Sequence, residues 1–160
     1  MTIWSALAGG FAGTVALTTS LRGASELGLT RIDLPFLLGT LVTANRAKAK
    51  MWGYLVHLGF GLVFAVMYFA VFAAIGHSGW LLGALFGAVH AMFTLTTLVT
   101  AVLPAIHPLM GSGFTASDSA PLLEPPGFLM LNYGRSTPVV TILAHMAYGA
   151  IIGGFVGMSG

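Results

Sequence analysis

Residues 51–103 read MWGYLVHLGFGLVFAVMYFAVFAAIGHSGWLLGALFGAVHAMFTLTTLVTAVL. Two apolar runs, residues 51–75 and 80–103, contain no Asp, Glu, Lys or Arg, and only the turn GHSG separates them. A helix needs roughly 20 apolar residues to cross about 30 Å of hydrocarbon. This stretch therefore predicts two membrane-spanning helices that run antiparallel to each other.

The rest of the chain has the same apolar character. Of its 160 residues, 57% are hydrophobic and only 6% are charged, whereas a soluble domain is about 25% charged. Residues 3–21 and 138–158 also lack charged side chains. The sequence therefore predicts an all-α fold, a four-helix transmembrane bundle that forms a single membrane domain over residues 1–160. Its spans are expected at about 3–21, 51–75, 80–103 and 138–158.

The basic residues predict the orientation of this bundle. All six lie in the two long connections: Arg22, Arg31, Arg46, Lys48, Lys50 and Arg135. Because cytoplasmic loops carry an excess of Lys and Arg, both long loops are expected in the cytoplasm and both termini outside. Six scattered cations do not form the dense patch that nucleic-acid binding requires, so the predicted partner is the lipid bilayer and not a nucleic acid.

Both long connections contain more than a linker. In the first, five apolar residues recur at the spacing of one helical face: Leu34, Leu37, Leu38, Leu41 and Val42. Asp33 can cap this helix, which predicts an amphipathic helix on the cytoplasmic membrane surface. The second connection, residues 104–137, is rich in Pro and Gly but apolar around residues 128–131. It is expected to fold back as a capping loop over the cytoplasmic end of the bundle.

An internal repeat relates the two halves of the chain. Residues 55–61 and residues 143–149 share the pattern L-x-H-[LM]-[GA]-[FY]-G. This predicts two tandem two-span repeats, about 1–76 and 77–160, related by a pseudo-two-fold axis along the membrane normal. The repeat would place His57 opposite His145.

Three predicted spans carry one histidine each, namely His57, His90 and His145, and each histidine lies on a stripe of small residues. Polar residues inside a membrane usually face the bundle interior, and small residues allow close helix packing. These three side chains are therefore expected to point inward. His107 follows the third span, and the capping loop could bring it near the others.

Inward histidines allow several kinds of chemistry. Facing imidazoles could ligate haem, with His57 and His145 as the ligand pair and with Gly61 and Gly149 making room for the macrocycle. His90 and His107 would be further ligands or proton partners. Alternatively, copper, iron or zinc could bind at a site made only of imidazoles, with His57, His90, His107 and His145 as the candidate ligands. A proton-transfer or quinone site is a third alternative. A fourth is that each histidine only hydrogen-bonds a neighbour and fixes helix packing.

The leading functional prediction is a small subunit of a redox-type membrane complex that binds haem or a transition metal. Two alternatives remain open: a structural or accessory subunit, and a small dimeric carrier or channel. Other membrane subunits, or a second copy of the chain, would dock through the Gly-rich helix faces. No phosphate-binding loop, nucleophile motif or carboxylate pair is present, so no catalytic residue is assigned.

Short motifs in the two connections resemble those of a family of small bacterial four-span integral membrane proteins whose function is uncharacterised. The matching stretches are residues 32–35 (IDLP), 106–108 (IHP), 126–128 (PGF), 132–134 (NYG) and 137–138 (TP), together with the three span histidines. The resemblance implies a bacterial multi-pass protein, which we expect in the inner membrane. It implies no activity.

Overall fold

The computed structural model describes residues 1–110 and 123–159, and all regular secondary structure within them is helical. The α-helices are α1 (Ile3–Glu26), α2 (Leu34–Gly39), α3 (Arg46–Ile75), α4 (Trp80–Phe93), α5 (Leu103–Ile106) and α6 (Thr137–Gly157). A π-helical segment, Thr94–Val102, joins α4 to α5, and a 3₁₀ helix, Phe128–Tyr133, precedes α6. The predicted all-α class is confirmed.

Three helical stretches in the described chain are long and apolar enough to cross a membrane: Arg46–Ile75, Trp80–Ile106 and Thr137–Gly157. They contain most or all of the predicted spans 51–75, 80–103 and 138–158. α1 has 24 residues, but its glycines, serines and threonines keep it below the hydropathy of the other three. The fourth span therefore stays a prediction.

Local capping explains why α3 starts five residues before the predicted span. The side-chain oxygen of Asn45 accepts hydrogen bonds from the backbone N–H groups of Ala47 (3.0 Å) and Lys48 (3.2 Å). These bonds satisfy donors of the first helical turn, so the basic residues from Arg46 onward are already helical. At the other end, Gly76 adopts a φ of 74° directly after α3, which is typical of a helix C-terminus.

The chain forms two compact units. The first, called here the apolar unit, comprises Met1–Ser20, Leu58–Ala91 and Thr141–Gly160. The second, the polar unit, comprises Leu21–His57 and Met92–Val140, and every Lys, Arg, Asp and Glu of the sequence falls within its ranges. Each unit combines residues of both predicted repeat halves, and the repeat itself stays a prediction.

Glycines bring α4 and α6 into direct backbone contact within the apolar unit. A Cβ atom at Gly83 would overlap the carbonyl oxygen of Gly149, and one at Gly149 would overlap that of Gly83. Gly87 lies in the same way against the backbone of His145. The stripes of small residues predicted on these two helices are therefore packing faces, as small residues are in membrane proteins generally.

α1 and α3 also pack closely in the apolar unit. A Cβ atom at Gly10 would overlap the side chain of Ala65, and one at Gly61 would overlap the hydroxyl of Thr14. That hydroxyl donates to the carbonyl of Gly10 at 2.6 Å, so its hydrogen-bonding potential is satisfied within its own helix. The Gly-rich face of α3 is thus occupied by α1 here.

In the polar unit, α2 confirms the predicted cap but is shorter than the predicted helix. Asp33 accepts a hydrogen bond from the N–H of Phe36 at 3.2 Å. The helix ends at Gly39, and Val42 lies beyond it with half of its surface exposed (51%). The hydroxyl of the C-cap residue, Thr40, donates to the carbonyls of Phe36 and Leu37, each at 2.9 Å. The last two residues of the predicted apolar stripe therefore lie beyond α2.

α2 packs against the first turns of α3. A Cβ atom at Gly39 would overlap the carbonyl oxygen of Ala49, and one at Gly53 would overlap that of Pro35. The buried face of α2 therefore meets protein backbone. The predicted position of α2 on the membrane surface stays a prediction.

Much of the predicted capping loop, residues 111–122, lies outside the described residues. The part that follows is held by hydrogen bonds within the polar unit. Asn132 donates from its side chain to the carbonyl of Pro125 (2.9 Å), and the Tyr133 hydroxyl donates to that of Glu124 (2.8 Å). Two consecutive non-glycine residues, Leu129 and Met130, have φ values of 54° and 60°, a strained conformation that the surrounding contacts must impose.

Candidate functional site

The structure brings together two of the predicted site histidines. His90 on α4 and His145 on α6 are in contact within the apolar unit, with ring centroids 4.9 Å apart and ring planes at 84°. The close approach of α4 and α6 at Gly87 places these rings side by side. The repeat predicted that His57 lies opposite His145, and that arrangement stays a prediction.

His145 is held in one orientation. Its side chain is only 7% exposed, and its Nδ1 lies 2.8 Å from the carbonyl oxygen of Thr141, one turn earlier on α6. Because a carbonyl only accepts, Nδ1 must carry the proton. Nε2 is then the nitrogen with the lone pair. A backbone carbonyl bound to one ring nitrogen is the usual support of a metal-binding or proton-accepting histidine.

Aromatic rings surround the histidine pair. Phe64 stacks on His90 with ring centroids 3.9 Å apart. Tyr68 and Tyr148 approach His90 edge-on, with centroid distances of 6.1 Å and 5.9 Å. These rings come from α3 and α6 and pack against His90, which is half-buried, whereas His145 is buried.

Three hydroxyls belong to this cluster, and they differ in their partners. Tyr148 donates to the carbonyl oxygen of Gly61 at 2.5 Å. The hydroxyls of Tyr68 and Thr141 are buried and have no hydrogen-bond partner in the described part of the chain. A buried hydroxyl without a partner is uncommon and calls for an explanation, such as a bound water or ion.

The glycines predicted to make room for a haem contact other helices. Gly61 meets Thr14 of α1, and Gly149 meets the backbone of Gly83. Their missing side chains are thus used for helix packing in the apolar unit.

His107 has a structural role in the polar unit. Its Nε2 lies 3.0 Å from the carbonyl of Leu37 and 3.2 Å from the hydroxyl of Thr40, and its Nδ1 accepts from the N–H of Leu109 at 3.1 Å. Both ring nitrogens are therefore used by the protein itself. Burial lowers the pKa of His107, and the hydrogen bond to Leu37 opposes this only in part.

The remaining two histidines are His57 and His77. His57 is a half-buried residue of α3 and belongs to the polar unit, and His77 is exposed in the turn after α3. Over residues 1–110 and 123–159, no group of three or more His, Cys, Asp or Glu side chains is placed to hold a metal ion. Of the four predicted metal ligands, only His90 and His145 are shown in mutual contact.

The aromatic partners of the histidine pair were absent from the sequence prediction. Tyr148 follows His145 by three residues, and Phe64 precedes Tyr68 by four. Both spacings place the two residues on one helix face, so a polar aromatic face could have been recognised. Which helix meets which face depends on contacts between distant segments, which the sequence does not indicate.

A second polar cluster consists of Arg31, Glu124, Asn132 and Tyr133, and it includes part of the NYG motif at residues 132–134. In the polar unit, the Arg31 side chain donates to the carbonyl of Asn132 and lies 3.4 Å from the Glu124 carboxylate. Its backbone N–H donates to the carbonyl of Tyr133 at 2.7 Å. Burial, with a smaller contribution from Glu124, raises the pKa of Tyr133 to about 12. This cluster fastens residues 124–134 to the segment before α2.

Comparisons of the chain with protein-family models, with curated proteins and with solved structures found no match. The resemblance to the four-span family therefore stays a prediction.

Proposed function

We propose that this chain is a small multi-pass integral membrane protein that binds a transition metal ion through His90 and His145, as a subunit of a redox-type membrane complex. The observation that carries the proposal is the contact between the two imidazoles inside a region without charged residues. Ionisable side chains are costly at such depth and are usually functional there.

The distance between the rings fits a shared ion. Imidazole nitrogens bind a tetrahedral ion at about 2 Å, which places the centres of two such rings about 5 Å apart. The observed centroid distance is 4.9 Å. Copper, iron and zinc all accept imidazole ligands. Two protein ligands leave further positions for a small molecule or for a group from a partner subunit.

The distance between the ring centres also makes haem the weaker of the two cofactor hypotheses. Two axial imidazoles on opposite faces of a haem have ring centres about 6 Å apart, with the macrocycle between them. His90 and His145 instead meet edge to face at 4.9 Å. Gly61 and Gly149 are occupied by other helices, which also argues against a planar cofactor. A reduced-minus-oxidised absorption spectrum without haem bands is expected.

A titration with metal ions tests the proposal. The purified protein in mild detergent is expected to bind one equivalent of Cu(II) or Zn(II), and His90→Gln and His145→Gln are expected to lose that binding. The exposed His77 provides the matched control, because His77→Gln removes one imidazole outside the site. Binding that survives in both site variants, or that disappears in the control, would refute the proposed site.

A structural or accessory subunit is the second candidate function. It is favoured by the backbone contacts between Gly83 and Gly149 and by the full use of both His107 nitrogens inside the protein. In that case His90→Gln and His145→Gln would lower stability, and no variant or wild-type protein would bind a metal ion.

For the topology, we propose four spans in the inner membrane, with both long loops cytoplasmic and both termini outside. The N-terminal amine donates to the carbonyl of Ser159 at 3.1 Å, and the hydroxyls of Ser5 and Ser159 are 2.8 Å apart. Residues near the two termini thus meet, and this contact supports an even number of crossings. At about 1.5 Å per residue, the 24 residues of α1 are long enough to provide the fourth.

Labelling of single cysteines tests this topology, because the chain contains no cysteine of its own. A membrane-impermeant maleimide is expected to label Thr2→Cys and Ser78→Cys from outside intact cells. Ala44→Cys should react only after permeabilisation. Labelling of positions 2 and 78 from opposite sides of the membrane would contradict the fourth span.

A further inference from the structure

Tyr68 provides an observation that the proposed histidine site does not yet explain. Its side chain is only 6% exposed, and its ring contacts the rings of His90 and Tyr148 with centroid distances of 6.1 Å and 5.7 Å. Its hydroxyl has no hydrogen-bond partner among the described residues. In lipid no bulk water can replace that partner. Tyr68 therefore packs against His90 with an unsatisfied hydroxyl donor.

Thr141, one turn before His145 on α6, repeats the observation. It is 2% exposed, and its backbone carbonyl holds Nδ1 of His145. Threonines in helices often donate to the carbonyl four residues earlier, as Thr14 and Thr18 do here at 2.6 Å and 2.7 Å. Thr141 makes no such bond in the described structure. Its hydroxyl is a second unsatisfied group, on the same residue that orients His145.

We infer that the ion bound by His90 and His145 keeps a small exogenous ligand, a water molecule or a small anion, and that the hydroxyls of Tyr68 and Thr141 hydrogen-bond it. This inference rests on the proposed metal site. Metal sites with open positions normally hold water or substrate there, and surrounding hydrogen bonds orient that ligand. Tyr68 and Thr141 are thus positioning residues, since they contact the ligand and not the ion.

Azide binding to the Cu(II)-loaded protein tests the inference, because azide is a small anion whose binding to copper produces a charge-transfer absorption band. A hydrogen bond to a charged acceptor is strong, so Tyr68→Phe is expected to weaken azide binding by about tenfold or more. Its affinity for Cu(II) should stay close to that of the wild type. Tyr54→Phe is the matched control on α3, because Tyr54 is exposed and outside the apolar unit.

The outcomes separate the inference from the proposed function. The inference would be overturned if Tyr68→Phe bound azide as tightly as the wild type does, or if the copper-loaded wild type bound no azide. Either result would leave the proposed metal site intact. Wild-type protein that binds no Cu(II) would refute both. If Tyr68→Phe does not fold, Thr141→Val provides the same test, with weaker azide binding at unchanged Cu(II) affinity as the expected result.

Discussion

Replacing Gly149 by alanine gives a direct test of the packing between α4 and α6. The new Cβ atom would overlap the carbonyl oxygen of Gly83 and would crowd the backbone nitrogen of Gly87. Both atoms belong to helix backbone, so no side-chain rotation can make room. The helices must move apart, and the contact between them is weakened along its length.

The magnitude follows from two opposing effects. Forcing an extra carbon into a packed region costs about 1–3 kcal/mol. The cost here should lie near the upper end of that range, because the atoms in the way belong to helix backbone and cannot rotate aside. Alanine gains about 1 kcal/mol over glycine in a helix. Gly149→Ala is therefore expected to lower the free energy of unfolding by about 2 kcal/mol.

Gly154 provides the matched control in the same helix. A Cβ atom there has no atom within 4 Å, so Gly154→Ala should leave stability unchanged or raise it by up to about 1 kcal/mol. Unfolding in mixed detergent micelles, followed by tryptophan fluorescence, measures both variants. If the Gly149→Ala variant were as stable as the Gly154→Ala variant or more stable, the close packing of α4 against α6 would be refuted. The geometry that brings His90 into contact with His145 would be refuted with it.

Three further predictions concern the polar unit. Burial lowers the pKa of His107 below its ordinary value of 6.5, so the unfolded chain binds a proton at this side chain more readily than the folded chain does. Stability should therefore fall as the pH drops below about 6.5. His107→Asn should flatten this pH dependence of the unfolding midpoint, and an unchanged dependence would contradict the prediction. Asp33→Ala removes the cap on the N–H of Phe36 and should cost about 1 kcal/mol, seen as faster hydrogen exchange at that amide. Arg31→Gln should speed proteolysis of residues 124–134 while metal binding persists, because Arg31 fastens this segment. Protection equal to that of the wild type would contradict this role of Arg31.

The apolar helices could be predicted from the sequence because they depend on composition over long windows. The runs 51–75, 80–103 and 138–158 match Arg46–Ile75, Trp80–Ile106 and Thr137–Gly157 to within a few residues. The early start of α3 had a local signal in Asn45, whose side chain caps the first turn. The cap at Asp33 was predicted for the same local reason.

Features that depend on distant contacts could not be predicted in the same way. The π-helical segment Thr94–Val102 has no sequence signature. There the Thr100 hydroxyl bonds the carbonyl of Leu95 at 2.5 Å and that of Gly127 at 3.2 Å. The contact with Gly127 joins residues that are far apart in the chain. It occurs within the π-helical segment, a conformation that is rare and that helix propensity alone does not favour.

The candidate site could be predicted in part. Small residues around His90 and His145 correctly indicated that both lie on packing faces. The contact between these two histidines could not be predicted, because it follows from the close approach of α4 and α6 at Gly87. The arrangement that the repeat predicts, with His57 opposite His145, stays a prediction. The bonds of His107 within the polar unit were missed because those to Leu37 and Thr40 join two segments that are far apart in the sequence.

X-ray absorption at the metal edge of the loaded protein tests the central claim most directly. The site predicts about two imidazole nitrogens at about 2 Å from the ion, with the multiple scattering that imidazole rings produce. In His145→Gln that imidazole contribution should fall. An oxygen-only shell in the wild type, or an imidazole signal unchanged in His145→Gln, would contradict a metal site formed by His90 and His145.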